Sequence, residues 1–420
     1  MTNETQPDSR FDRITNEIVS GGTQREVDAA PTPTAMVLGI VAWVGLLGSL
    51  LWFRPWMFVF VVGLALSIML HEFGHFYTAR KSGMKATQFF LGFGPRVWST
   101  HRNGVEYGLR AIPLGGFVKI IGMSNMDEVD PADEPFTYRQ ASFPKRMWVI
   151  TAGSVMHIVI ALVTIVAVYG FAGRVEEAGR VTVYSVSADS PAAKAGVAPN
   201  DIITAVGGTT VTTSDEFHKA LASSVPGTTV DLAIVRGGSP LHLSATLIQS
   251  PYAAAGQTVG FLGVTNDSKE RVNQSWLQAV TKGPRDLVSG VGQATVGIAK
   301  VINPVNVLGH LTGSNTDASS RPTTIVGAAK MSSDYGKYDG WAGILSLLAA
   351  LNVSVGVFNM FPLLPLDGGH AAIAIYERSR ERNGKRYFAD ISKLMPVVTV
   401  TVALLAFMFF TGIYLDTVKG

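Results

Sequence analysis

Cysteine is absent from all 420 residues. No disulfide can form and no metal site can rest on thiolates, so any metal must be held by His, Asp or Glu. Charge is scarce too. Asp, Glu, Lys and Arg make up 15% of the chain, against roughly 25% in soluble domains. The formal charge of +3 is too small to argue for a nucleic-acid partner. No convincing internal repeat is present, which removes the sequence signature of a transporter built from inverted halves. What fills the chain is apolar: 47% of residues are hydrophobic and the mean hydropathy is +0.27. Length and composition together describe a membrane protein of two or three units.

Residues 1–35 are polar, with Pro31 and Pro33 near their end, and read as a disordered cytoplasmic tail. Spans are expected at about 36–53, 57–79, 146–170, 342–361 and 394–414. The first two are separated by Arg54-Pro55 with Trp52 and Trp56 on either side, which fits a tight turn at a membrane surface; a single long kinked helix is the weaker alternative. Basic residues crowd 80–146 and the loop before the last span (Arg378, Arg380, Arg382, Lys385, Arg386, Lys393). By the positive-inside rule both face the cytoplasm, leaving about 171–340 outside.

Within the second span, after an uncharged run from Met57 to Leu70, stands His71-Glu72-Phe73-Gly74-His75. Two histidines four apart share one helical face and can converge on one ion. The glutamate between them is placed to act as general base on the activated water. Ionisable groups inside a span are costly, so a functional site is the default reading.

A catalytic zinc usually takes three protein ligands and leaves one position open. The candidate third ligand is Asp367, in the otherwise apolar stretch Asn359-Met360-Phe361-Pro362-Leu363-Leu364-Pro365-Leu366-Asp367. Pro362 and Pro365 break the helix there. Asp367 as a plain helix N-cap is the competing reading.

Between these motifs the pattern changes twice. Over 84–121 it alternates, and Asn103-Gly104 is a strong hairpin-turn signal. Such β structure would dip back toward the site, or else form a cytoplasmic hairpin. Residues 180–265 read as a soluble α/β stretch, with a short capped helix at Ser190-Pro191-Ala192 and a second helix over 214–224 capped by Ser214. Ser190-Pro191-Ala192, Ala195-Gly196-Val197 and Val206-Gly207-Gly208 give this stretch a resemblance to PDZ domains of the bacterial protease type, which bind peptide ends by strand addition. Here Pro199-Asn200-Asp201 stands where that family commonly has Gly-Asp. Residues 270–340 are expected to hold linker helices at the outer surface, with a loop at Gly313–Ser320.

In order, His71-Glu72-x-x-His75, Gly92-Phe93-Gly94-Pro95, Pro113-Leu114-Gly115-Gly116-Phe117, the PDZ-like stretch and Asn359-x-x-Pro362-x-x-x-x-Asp367-Gly368-Gly369-His370 resemble the site-2 protease family. The resemblance is to the zinc intramembrane metalloproteases of the bacterial regulator-of-sigma-E type with one PDZ domain. It implies Zn2+ on His71, His75 and Asp367, Glu72 as catalytic base, and Asn359 and Pro362 at the substrate backbone. It also implies a polytopic helical core with a re-entrant β-hairpin region and an extracytoplasmic PDZ-like domain, in a bacterial plasma membrane. Substrates would be single-span proteins such as anti-sigma factors, already trimmed, and signal-peptide remnants. Three departures stand out: His157 occupies the place of a family asparagine, Arg321-Pro322-Thr323 replaces Gly-Pro-Ile, and 36–53 is additional to the common core. A non-catalytic membrane-anchored PDZ scaffold is the alternative, against which the intact Glu72 argues.

Overall fold

The computed structural model describes residues 32–123, 127–251, 258–315, 317–382 and 385–418. The tail expected over 1–35 lies outside these up to residue 31, as does residue 316 of the loop expected at 313–320. The chain divides into two compact units, one of residues 1–167, 280–311 and 317–420, the other of 168–279 and 312–316.

The first unit is helical, with one β insertion. Helices α1 (Pro33–Phe53) and α2 (Pro55–Lys81) are separated by Arg54 alone, and Pro55 suits a first helical position because its missing N–H has no partner there. Next come β1 (Ala86–Arg102), β2 (Val105–Ile120) and α3 (Phe143–Ala172). After the second unit follow α6 (Trp276–Val301), α7 (Pro304–Thr312), α8 (Ile325–Asn359), α9 (Asp367–Arg380) and α10 (Met395–Val418). Among the described residues five helices, α1, α2, α3, α8 and α10, are long and apolar enough to cross a membrane. The α8 run begins well before residue 342 and is broken at Gly340, whose φ of 56° is non-helical. Its first half lies in the stretch expected to hold linker helices, and it buries Gly327, Ala328, Ala329, Ser332, Ser333 and Gly336. α6 is also more than a surface helix: Leu287 and Val291 pack with Ala161 of α3 and Val353 of α8.

The hairpin joining β1 and β2 turns at Asn103 (φ 51°) and Gly104 (φ 75°) between the pair Arg102–Val105. Two successive positive φ values are what a two-residue turn of the favoured twist needs. Each long strand also bends, near Gly92 and Gly94 in β1 and near Gly115 in β2, all at positive φ. The bends make four arms of two strands. Residues 86–91 lie between 116–120 (Phe89–Val118, Phe90–Phe117) and 106–109 (Phe89–Tyr107, Phe90–Gly108), and 98–102 flanks the latter (Thr100–Tyr107). The outer arms are thus 116–120 and 96–102.

The second unit holds β3 (Arg174–Val186), α4 (Pro191–Ala195), β4 (Ile202–Val206), β5 (Thr209–Thr210), α5 (Ser214–Ala222), β6 (Thr229–Arg236), β7 (Ser239–Thr246), β8 (Ile248–Gln249), β9 (Gly260–Phe261) and β10 (Val264–Val272). Its main sheet runs β10-β3-β4-β6-β7, with β5 on β4. Alternate strand residues, among them Val181, Val183, Ile203, Leu232 and Ile234, enclose a core with Phe217 and Leu262. Ser190 caps α4 by accepting from the Ala193 N–H. The cap of α5 is Thr213, not Ser214: the Thr213 hydroxyl accepts from the Glu216 N–H, and the Glu216 carboxylate accepts from the Thr213 N–H. The reciprocal bond with a glutamate three positions on selects Thr213. Asp201, in the Pro199-Asn200-Asp201 loop, accepts two bonds of 2.7 Å from the Arg236 guanidinium, which holds its carboxyl below the usual carboxylate range.

Candidate metal centre and active site

The site assembles from three helices of the first unit. α2 stays helical through His71 and His75, so the two imidazoles stack one turn apart. Their Nε2 atoms are 3.1 Å apart. Asp367 reaches the same point from the start of α9, with Oδ2 3.3 Å from His75 Nε2 and 3.6 Å from His71 Nε2. Both histidines are buried. Asp367 is the first residue of α9, and the cap position is Leu366; the aspartate is not the N-cap.

Local sequence explains how Asp367 arrives. A Cβ on Gly368 would lie 2.3 Å from backbone atoms of Met360 and Phe361, and one on Gly369 would lie 2.5 Å from the Leu364 N. The two glycines let the segment after α8 lie directly on the first turn of α9, which turns the Asp367 side chain back toward α2. At its other end α9 is tied down by a buried ion pair, Arg146 Nη2 to Glu377 Oε2 at 2.5 Å. The second oxygen of Glu377 accepts from the Ala389 N–H at 2.8 Å.

The imidazoles are held from behind by α3. His75 Nδ1 is 2.8 Å from the Val149 carbonyl, which can only accept, so Nδ1 carries the proton and Nε2 presents a lone pair. A Cβ on Gly153 would fall 2.3 Å from His75 Nε2 and 2.4 Å from His71 Cε1. Glycine is therefore the residue that lets α3 approach both ligands.

Three acceptor atoms face one another here, and Asp367 Oδ2 is buried without a hydrogen-bond partner. Such a group is costly unless a cation sits among them. Tetrahedral ligands at ~2.0–2.1 Å from zinc would be separated by about 3.3–3.4 Å, against the 3.1, 3.3 and 3.6 Å found. The donor set, two imidazoles and a carboxylate, also suits zinc. Among the described residues this is the cluster that fits a metal ion.

A cavity of about 200 Å³ opens on the cluster, lined by Glu72, Phe117, Val118, Lys119, Pro365 and His370 among others. The Cγ of Glu72 lies 3.4 Å from where a Gly116 Cβ would be. The outer arm 116–120 thus forms one wall beside the glutamate. The structure does not bring the other two expected site residues to this cavity. Asn359 is half-buried in the last turn of α8, and Pro362 lines a separate apolar cavity of about 420 Å³ with Leu363, Leu364 and Val397.

Sequence reasoning missed a polar chain behind the ligands. The His157 ring lies 4.8 Å from that of His71, and its Nδ1 is 2.7 Å from Asn352 Oδ1. Asn352 donates from Nδ2 to the Leu348 carbonyl (2.8 Å) and to Ser67 Oγ (3.1 Å). Because the amide NH2 is committed, its oxygen faces His157, whose Nδ1 carries the proton. The signals were present: Ser67 stands one turn before His71, and Asn352 is a lone amide in an apolar run.

Comparison with known proteins places this geometry. The sequence profile of Peptidase family M50 matches residues 59–404. The chain belongs to this family. A zinc metalloprotease, Rip1 of Mycobacterium tuberculosis, is 32% identical over 381 residues, covering 82% of this chain and 93% of that protein. A putative zinc metalloprotease of Agrobacterium fabrum is 28% identical over 77% of this chain and 86% of its own length. The PDZ domain of an SdrC-like protein from Listeria monocytogenes aligns with 21% of this chain and 87% of its own length, at 26% identity and a TM-score of 0.19. As an M50 peptidase with five candidate spans, the chain is a multi-pass membrane metalloprotease and its cofactor is zinc.

Proposed function

We propose that this chain is an intramembrane endopeptidase of the bacterial plasma membrane. It cuts the transmembrane segments of single-span proteins already trimmed on the outer side, such as anti-sigma factors, or signal-peptide remnants. The observation that carries the reading is the convergence of His71, His75 and Asp367 on one point beside Glu72, inside apolar helices. These three side chains would hold the zinc ion. When bound, it polarises a peptide carbonyl and makes water a nucleophile at neutral pH. Glu72 takes the proton of the attacking water on its carboxylate and passes it to the leaving nitrogen. His75 keeps its orientation through Val149, and Gly153 keeps α3 against both imidazoles.

A helical substrate hides its carbonyls in its own hydrogen bonds and must unwind before attack. In an apolar medium the freed groups need new partners. The outer arm 116–120 runs past Glu72, and strand addition there supports the unwound segment. Asn359 and Pro362 would contact the substrate farther along its path.

The second unit, with its PDZ-like motifs and two capped helices against a sheet, acts as an extracytoplasmic filter. The tail lies on the cytoplasmic side. One experiment tests cleavage and filter together, using a single-span test peptide with and without a bulky outer domain. The full-length protein in bilayers is expected to cut the trimmed form alone, and protein lacking 180–265 to cut both. No cleavage of the trimmed form, with zinc loaded, would refute the protease reading. Continued resistance of the untrimmed form after the deletion would refute the filter.

A further inference from the structure

Helix α1 lies outside the region matched by the family profile, which begins at residue 59. It is also mostly exposed: Val37, Leu38, Val41 and Val44 are each more than half accessible. Yet its half-buried positions, Met36, Gly39, Trp43, Leu47 and Leu50, recur at spacings of three and four. That spacing is one face of a helix, so α1 docks on the rest of the protein along a single stripe.

Two residues of that stripe meet the β insertion. A Cβ on Gly39 would lie 2.7 Å from Val97 Cγ1, so the helix backbone rests directly on Val97, which is buried in the outer arm 96–102. The Trp43 indole N–H donates to the Arg110 carbonyl at 3.1 Å. Arg110 is the link to the other side of the sheet. Its guanidinium lies over the rings of Phe90 (4.9 Å) and Phe117 (5.0 Å), which stack 5.6 Å apart, and donates to the Gly94 carbonyl at 2.8 Å. Phe117 stands in the outer arm that lines the zinc cavity.

We propose that α1 is a brace for the substrate-binding sheet, and that Trp43 and Arg110 are positioning residues for the protease reaction. The helix packs on the arm farthest from the zinc ligands, where an uncovered edge would invite pairing with the wrong chain. Through Arg110 it holds the Phe90–Phe117 stack, and so fixes the arm beside Glu72 in the place an unwound substrate meets. The proposal rests on the reading of that arm as the substrate's strand partner.

The test uses full-length protein in bilayers. Trp43→Phe removes the N–H and keeps a ring; Gly39→Leu wedges the helix off Val97; Val44→Ala, on the exposed face, is the control. Backbone amide exchange over 96–110, zinc content, and KM and kcat on the trimmed test peptide are measured. Trp43→Phe is expected to speed exchange and raise KM, each by about 3–10-fold, the change one lost hydrogen bond supports, with kcat and zinc unchanged. Gly39→Leu is expected to do the same more strongly, and Val44→Ala to do neither. Unchanged exchange in both variants would overturn the brace. Loss of zinc and kcat in Trp43→Phe would overturn it in favour of general destabilisation. Faster exchange with unchanged KM would overturn Trp43 as a positioning residue and remove strand addition at 116–120 from the account.

Discussion

A Glu72→Gln variant is expected to lose turnover by about 10²–10⁴-fold, the span attributed to a positioned general acid–base group, while keeping its fold and its zinc. Glu72 is not among the three converging ligands. Its side chain lines the cavity beside Phe117, Val118 and Lys119, a place that a glutamine of the same shape fills. What the amide lacks is a carboxylate that takes a proton from water and returns it to the leaving nitrogen. The check is a single-turnover rate on the trimmed test peptide beside metal analysis of the same sample. Retained turnover would remove Glu72 from its role as base, and lost zinc would recast it as a ligand or a support.

The second large effect is expected from a residue with no side chain. Gly153→Ala would place a methyl group 2.3 Å from His75 Nε2 and 2.4 Å from His71 Cε1, inside contact distance of both imidazoles. Neither ring can retreat freely. His75 is tied to the Val149 carbonyl, and His71 is flanked by the His157 ring. Either α3 shifts outward and takes the Val149 acceptor with it, or the rings rotate off the shared point. Both outcomes loosen the metal, by roughly 100-fold in affinity if support from the surrounding residues is a guide, and activity falls with it. Competition of the variant against a chelator of known affinity reads the change directly. Unaltered zinc affinity would mean that α3 does not back the ligands as described.

Much of the site was legible in the sequence because its signals are local. The His71–His75 pair needs only a helix to bring its imidazoles together, and the uncharged run before it guarantees that helix. Asp367 stood out as a lone carboxylate just after two prolines in apolar sequence. The hairpin turn follows from two residues that tolerate the left-handed conformation, Asn103 by its short polar side chain and Gly104 by having none.

The parts that were not legible depend on approach between distant segments. Gly153 reads as any glycine in an apolar helix until α3 is seen against α2, some eighty positions earlier. The chain from Ser67 through Asn352 to His157 joins three helices, and no spacing rule connects them. The first half of α8 falls in the stretch expected to hold surface linker helices because Gly, Pro and polar groups interrupt its apolar residues, yet Gly327, Ala328, Ala329, Ser332, Ser333 and Gly336 are buried. The bends that bring arm 116–120 beside Glu72 lie at glycines, but which arm faces the ligands is decided by how the sheet packs on α2.

The claim on which the rest depends is that His71, His75 and Asp367 hold one zinc ion together. X-ray absorption on the purified protein, paired with metal analysis of Asp367→Ala, addresses it most directly. The expected result is one zinc per chain, a shell of nitrogen and oxygen at about 2.0–2.1 Å that includes two imidazoles, and loss of most of that zinc in the variant. A zinc shell without imidazole, or full occupancy in Asp367→Ala, would contradict the account.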